Sequence, residues 1–267
     1  GLMLRSFERL TSVDPGFRAD GVLLVRLAVK FEDKLEPAAA FTRLVDTRER
    51  VVARVSQVPG VVAAGATKFA PFAGEGGEVV PFTVPGQPAP APGSEPRVSL
   101  QPVSPGYLKA LGVPLVAGQD IGATAGDSTT GAGAVVNRRM AERFWPGRSP
   151  VGESFKIGSS SVRIVGVAGD VRSMRLDSVP DFTAYVPDRT MPRSAMSLVV
   201  RTKGDPMRVA GAVRAAVREV LPGQAFQEVL PLRSKLSDAA STPRFFTVLV
   251  LVFGALALAL AAVGLYG

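Results

Sequence analysis

The chain has 267 residues, no cysteine, no histidine and a formal net charge of +8. That composition leaves no disulfide framework, no thiolate, none of the usual zinc, haem or copper ligands, and no Cys–His dyad or Ser–His–Asp triad. Nor does the charge describe a nucleic-acid binder. Arginines stand singly or in pairs (Arg138 and Arg139, Arg172 and Arg175), no run of five basic residues occurs, and aromatic residues are not interleaved with them.

In chain order, Gly1 to Leu4 is apolar and is followed by Arg5, Ser6, Phe7, Glu8 and Arg9. Residues 1–13 read as the last turn of a membrane span running into a membrane-proximal helix; a secretory signal would put its positive charge before the apolar run. The segment VLLVRLAV (Val22 to Val29) predicts a strand. Pro37 then opens a helix whose apolar positions are Phe41, Leu44, Val45, Val52 and Val55. Pro59-Gly60 stops that helix, and Val61 to Phe69 predicts a second strand.

The same grammar returns near the other end. Ala195 to Arg201 predicts a strand, and Asp205-Pro206 a helix N-cap with proline at the first position. Ala210, Val213, Val217 and Val220 form that helix's apolar stripe, Pro222-Gly223 ends it, and Ala225 to Leu230 is a further strand. Two β-α-β units separated in this way predict an α+β fold, a split ferredoxin-like layer interrupted by a long insertion.

Within the insertion, Val84 to Pro96 (VPGQPAPAPGSEP) is a proline-rich, extended loop. Ser104, Pro105 and Gly112 write out a short helix as N-cap, first position and stop. Residues 122–133 form a Gly- and Thr-rich loop. Asn137, the only asparagine, caps a helix that buries Met140, Ala141, Phe144 and Trp145. Ser161 to Ser173 and Thr183 to Pro187 each contain a strand.

Leu232 to Thr242 leads into the uncharged stretch Phe245 to Tyr266, whose 22 residues would reach about 33 Å as a helix, enough to span a hydrocarbon layer. Arg244 and Tyr266 occupy the positions of interfacial anchors. Gly254, Ala257, Ala261 and Gly264 lie on one stripe, which fits either close helix approach or ordinary alanine-rich composition. The sequence therefore reads as an excerpt: one span ends, a polar body follows, and another span begins.

No residue pattern argues for chemistry. There is no Gly-Lys-Ser or Gly-Lys-Thr, and Gly166 with Gly169 fits a strand and turn better than a cofactor loop. Asp170 and Asp177 are flanked by Arg172 and Arg175 and read as solvated ion pairs. Glu75 and Glu78 have no partner at acid–base spacing, and Ser154-Phe155-Lys156 is only a shortened Ser-x-x-Lys. No catalytic, cofactor-binding or metal-binding residue is assigned.

The stretches VDPGFRADGVL, VSPGYLKALGVPLVAGQDI, VVNRRMAERFWPGRSPVGESF, IVGVAGDVRS and AAVGLYG together resemble, in matching order, the extracytoplasmic core domain of MacB-like and FtsX-like ABC transporter permeases. Within that group they look most like the duplicated permeases that carry no ATPase domain of their own. The resemblance implies a porter-like subdomain over 20–70 and 194–232, an inserted sabre-like subdomain over 78–190, and a transmembrane helix over 244–267. It implies a non-catalytic domain facing the periplasm from the bacterial inner membrane and relaying motion from a cytoplasmic ATPase, which itself binds the ATP. Its implied partners are that ATPase, membrane lipid, a second permease copy or homodimer, and a periplasmic adaptor. No cofactor and no nucleic acid are expected. The alternatives are a membrane-anchored binding or sensor domain without a transport role, and a hydrolase using Asp170 and Asp177.

Overall fold

The computed structural model describes residues 14–29, 36–74, 76–88, 90–91, 93–122, 133–175, 178–191 and 194–239, together with Phe253 and Ala261. The elements in chain order are β1 (Val22–Ala28), α1 (Pro37–Ser56), β2 (Val61–Thr67), β3 (Glu78–Pro81) and β4 (Arg97–Val103). Next come α2 (Tyr107–Leu111), β5 (Leu115–Gly118), β6 (Gly133–Asn137), α3 (Arg138–Phe144), β7 (Ser154–Ile157), β8 (Ser160–Ala168) and β9 (Thr183–Pro187). A 3-10 turn (Asp188–Thr190) leads to β10 (Ala195–Thr202), α4 (Met207–Val220) and β11 (Phe226–Pro231). A helix over 232–239 (α5) follows directly.

This is a mixed α+β fold on one sheet of 11 strands, ordered β11-β1-β10-β2-β4-β9-β6-β8-β5, with β3 added to β4 and β7 to β8. The wing β11-β1-β10-β2 is antiparallel throughout. The other wing is mixed, with β4–β9 and β6–β8 parallel. The wings meet at a single register pair, Thr67 opposite Val103.

Strand alternation explains why β1 is apolar on both faces. Leu23, Val25 and Leu27 point into a core shared with α1 and α4. Val22 and Leu24 point the other way, into a core that also takes Tyr107, Leu108 and Leu111 of α2, Val135, Tyr185 and Leu232. That second core therefore holds both wings together. A third core covers the far wing with Met140, Phe144 and Trp145 against Phe82, Phe155 and Ile164. Trp145 and Phe144 are thus core, as their spacing predicts.

Two local expectations need correction. Phe41 is 41% exposed, and the buried stripe of α1 runs instead through Ala40, Leu44, Arg48, Val51, Val52 and Val55. This stripe follows the same helical period turned by one position, and it admits an arginine whose charge is paired below. Ser104 does not cap α2: the N-cap is Gly106, two residues later. The Ser104 hydroxyl instead accepts the Ala66 amide at 2.8 Å, supporting the junction of the wings. The predicted stop is correct, since Gly112 and Val113 donate back to Lys109 and Leu108 in a Schellman closure.

Among the described residues no helix is long and apolar enough to cross a membrane. The predicted segment 1–13, the segment 244–267 apart from Phe253 and Ala261, and most of the 122–133 loop lie outside the described residues.

Candidate functional site

The segments nearest the two ends of the chain meet on one side of the sheet. Residues 14–20 form a strap. Asp14 turns it by accepting the Gly16 amide on Oδ1 at 2.8 Å, an Asx turn. Gly16 has φ +82, and a Cβ there would lie 1.7 Å from the Asp170 carbonyl oxygen. Only glycine fits. Arg172 fixes the same turn twice, its amide donating to the Pro15 carbonyl at 2.9 Å and its Nη1 to the Asp14 carbonyl at 2.7 Å.

Further along, Phe17 enters the core shared by both wings, and the Arg18 amide donates to the Leu111 carbonyl at 3.1 Å. The Arg201 guanidinium, from β10, reaches the carbonyls of Ala110 at 2.9 Å, Arg18 at 2.8 Å and Asp20 at 3.3 Å. Burial, and then the nearby Arg18 charge, pull the Arg201 pKa down from its ordinary value. The strap is therefore bound to the far wing through Asp170 to Arg172, to α2, and to the near wing through Arg201.

The other end is anchored beside it. Leu232, the first residue of α5, is fully buried in the same core as Phe17, and Leu236 packs against that core one turn later. Lys235 hydrogen-bonds Glu228 of β11, and Glu228 also accepts Arg26 of β1 at 3.3 Å. Burial pushes the Glu228 carboxyl up, but the hydrogen bonds from Lys235 and Arg26 outweigh it and hold the carboxyl below its ordinary range. Arg233 closes the junction by pairing with Asp20 of the strap at 2.8 Å.

A second set of charges ties α1 to the crossover out of the far wing. Arg48 is 2% exposed and donates through Nε to Asp188 Oδ2 at 3.2 Å and through Nη1 to the Ala195 carbonyl at 3.1 Å. Burial pushes the Asp188 carboxyl up, partly offset by the Arg48 charge. The neighbouring Arg189 and Glu49 pair at 2.5 Å. Sequence reasoning missed this crossed pair. Its signal is the mirrored dipeptides Arg48-Glu49 and Asp188-Arg189, with Arg48 standing in the apolar stripe of α1.

The residues weighed for chemistry are not brought together. Asp170 does not serve a solvated ion pair: its Oδ1 accepts Asn137 Nδ2 at 2.7 Å and the Arg139 amide at 2.9 Å. Asn137 is fully buried and joins four groups, since it also donates to the Asp181 carbonyl and accepts the amides of Met140 and Thr183. It caps α3 as predicted and locks β6 to the start of β9 as well. Asp177 and Glu75 lie outside the described residues. Glu78 stands on β3, and Ser154 and Lys156 on β7. Gly166 is within β8, where a Cβ would crowd the Gln119 carbonyl at 2.3 Å. Among the described residues no three acidic side chains gather as metal ligands would. What the geometry supplies is a rigid joint.

Residues 9–220 match the family described as the MacB-like periplasmic core domain. The periplasmic region of MacB from Actinobacillus actinomycetemcomitans shares the fold, with a TM-score of 0.54 and 10% identity, over 88% of this chain and 99% of that one. The extracellular domain of the ABC-type transporter YknZ from Gram-positive bacteria is 16% identical, with a TM-score of 0.45 over 78% of this chain and 99% of that one. No curated protein matches the chain in sequence.

Proposed function

The chain belongs to the family of MacB-like periplasmic core domains, and from that premise we propose that it is the non-catalytic outer body of an ABC-type permease, carrying motion rather than performing a reaction. In this reading the body stands in the periplasm, tethered to the bacterial inner membrane through 1–13 and 244–267. A cytoplasmic ATPase subunit hydrolyses ATP, and the outer body converts that cycle into export or release of substrate. A second permease copy and a periplasmic adaptor complete the assembly.

The near wing, 20–70 with 194–232, is the moving porter-type layer. Its strand order β11-β1-β10-β2, with α1 and α4 on one face, supports a split ferredoxin-like arrangement. Residues 78–190 are the inserted sabre-like subdomain.

One observation carries the relay. The strap and α5 leave the body side by side, joined by Asp20 with Arg233, and each drives a side chain, Phe17 or Leu232, into the core shared by both wings. Tilting either tether would load that core directly.

The test is a Gly-Gly insertion at Ser241 in the complete transporter. The expected result is a folded body whose export and ATPase stimulation are lost. Export and stimulation at wild-type levels would overturn the relay. Failure of an ATPase subunit to co-purify with the wild-type protein would favour a stand-alone binding domain instead.

A further inference from the structure

Just past Thr67, the residues Ala70 to Ala73 form a β-turn, closed by the Ala73 amide donating to the Ala70 carbonyl at 3.2 Å. Pro71 stands at its second position and Phe72, with φ +56, at its third. Proline followed by a positive φ is the pattern of a type II turn, whose third position calls for glycine or asparagine. Among the described residues Phe72 alone has a positive φ without being glycine. A bulky side chain in that region is strained and persists only where its surroundings hold it.

Two contacts hold it. The Phe72 amide donates to the carbonyl of Ser173, in the far wing, at 2.7 Å. Its ring meets Phe17 of the strap, with 6.2 Å between ring centres and 39° between planes, and packs against the core shared by both wings. Strap and far wing are fastened to each other alongside, where the Arg172 amide donates to the Pro15 carbonyl at 2.9 Å. Strap, turn and far wing therefore meet at one point, and the strap supplies the ring on which the strained conformer packs.

We propose that this turn is a two-state catch set by the strap. With Phe17 seated, the type II form is held, and the Phe72 amide ties the turn at the end of β2 to the far wing. With Phe17 withdrawn, the Pro71–Phe72 peptide flips to the type I form. Proline at the second position permits that form equally, and it returns Phe72 to a negative φ. The flip keeps the bond between Ala70 and Ala73 but turns the Phe72 N–H away from Ser173. A pull on the strap thereby unfastens one wing from the other beside the Thr67 rung. The catch rests on the contacts of the strap alone, so its test is independent of the relay and of any ATPase.

Hydrogen exchange of the full chain in lipid nanodiscs, resolved to single amides and corrected for intrinsic rates, tests this. In the wild type the amides of Phe72 and Ala73 should both be protected. In Phe17→Ala, protection at position 72 should fall about tenfold, the size of one strained backbone position. Ala73, and Val199 in the middle of β10, should stay within about twofold of the wild type. Adding Phe72→Gly should restore protection at position 72, because glycine takes a positive φ without strain. If the two rings served packing alone, that second deletion would lower protection further. Should Phe17→Ala unfold the body, Phe17→Leu, which keeps an apolar side chain without the ring, carries the same readings. Unchanged protection at position 72 when the ring of Phe17 is removed, joint loss at positions 72 and 73, or no recovery with glycine would each overturn the proposal.

Discussion

At the scale of single residues the joint depends on positions with no tolerance. Gly16 combines a left-handed backbone with a carbonyl oxygen where a Cβ would stand. Gly16→Ala should therefore displace the strap and cost about 1–3 kcal/mol, read by chemical denaturation. The Arg172 amide, which donates to Pro15, should exchange faster in that variant. Arg48 makes the opposite kind of argument. Arg48→Met strands the buried Asp188 carboxylate and should cost about 3–5 kcal/mol, whereas Arg48→Met/Asp188→Leu, which removes both charges, should cost far less. A double-mutant cycle measures the difference; equal losses would mean that Arg48 acts through packing alone. The dual role of Asn137 was only half legible in sequence. A capping asparagine before an apolar run announces itself locally, but Asp170, Asp181 and Thr183 lie more than 30 residues away.

At the scale of elements, sequence periodicity found β1, β2, β10, β11 and the two long helices, because each carries a sustained apolar pattern between Pro-Gly stops. It did not find β3, β5 and β7, which have four residues each; β3 and β5 are largely exposed, and β7 buries only Phe155. It also missed β4, where Ser99 and Gln101 are buried within the strand and break its apolar pattern. The junction of α5 with the sheet gives a pH test. Glu228 has its carboxyl lowered from the ordinary 4.5. Its contribution to stability is therefore complete above that value and lost as pH falls through the lower folded value. Glu228→Gln should be less stable than the wild type at pH 6, and the gap in denaturation midpoint should narrow as pH falls below the ordinary 4.5. A gap constant with pH would rule out the charge as its origin. Ser104→Ala leaves the buried Ala66 amide without its side-chain acceptor and should cost about 1–3 kcal/mol by thermal unfolding.

At the scale of the whole molecule, sequence suggested two subdomains, and the structure joins them in one sheet across Thr67 and Val103. No local pattern could reveal this, since the rung pairs residues 36 positions apart whose neighbours face different cores. Tyr107 comes so close to β2 that a Cβ on Gly65 would sit 2.4 Å from its Cα, so α2 braces the rung from one side. Amides flanking the rung should exchange faster than those at the centre of either wing, where ladders run unbroken for several residues. The rung also sets how the body can yield. Rotating one wing against the other about Thr67 and Val103 would strain that rung, the hydrogen bonds between Ser104 and Ala66, and the core that both wings share, whereas shearing strands within a wing would tear a whole ladder. The sheet thus narrows to a waist whose resistance to twist comes from the shared core and α2 rather than from its own ladder, and load delivered at the tethers reaches that waist through the side chains they bury.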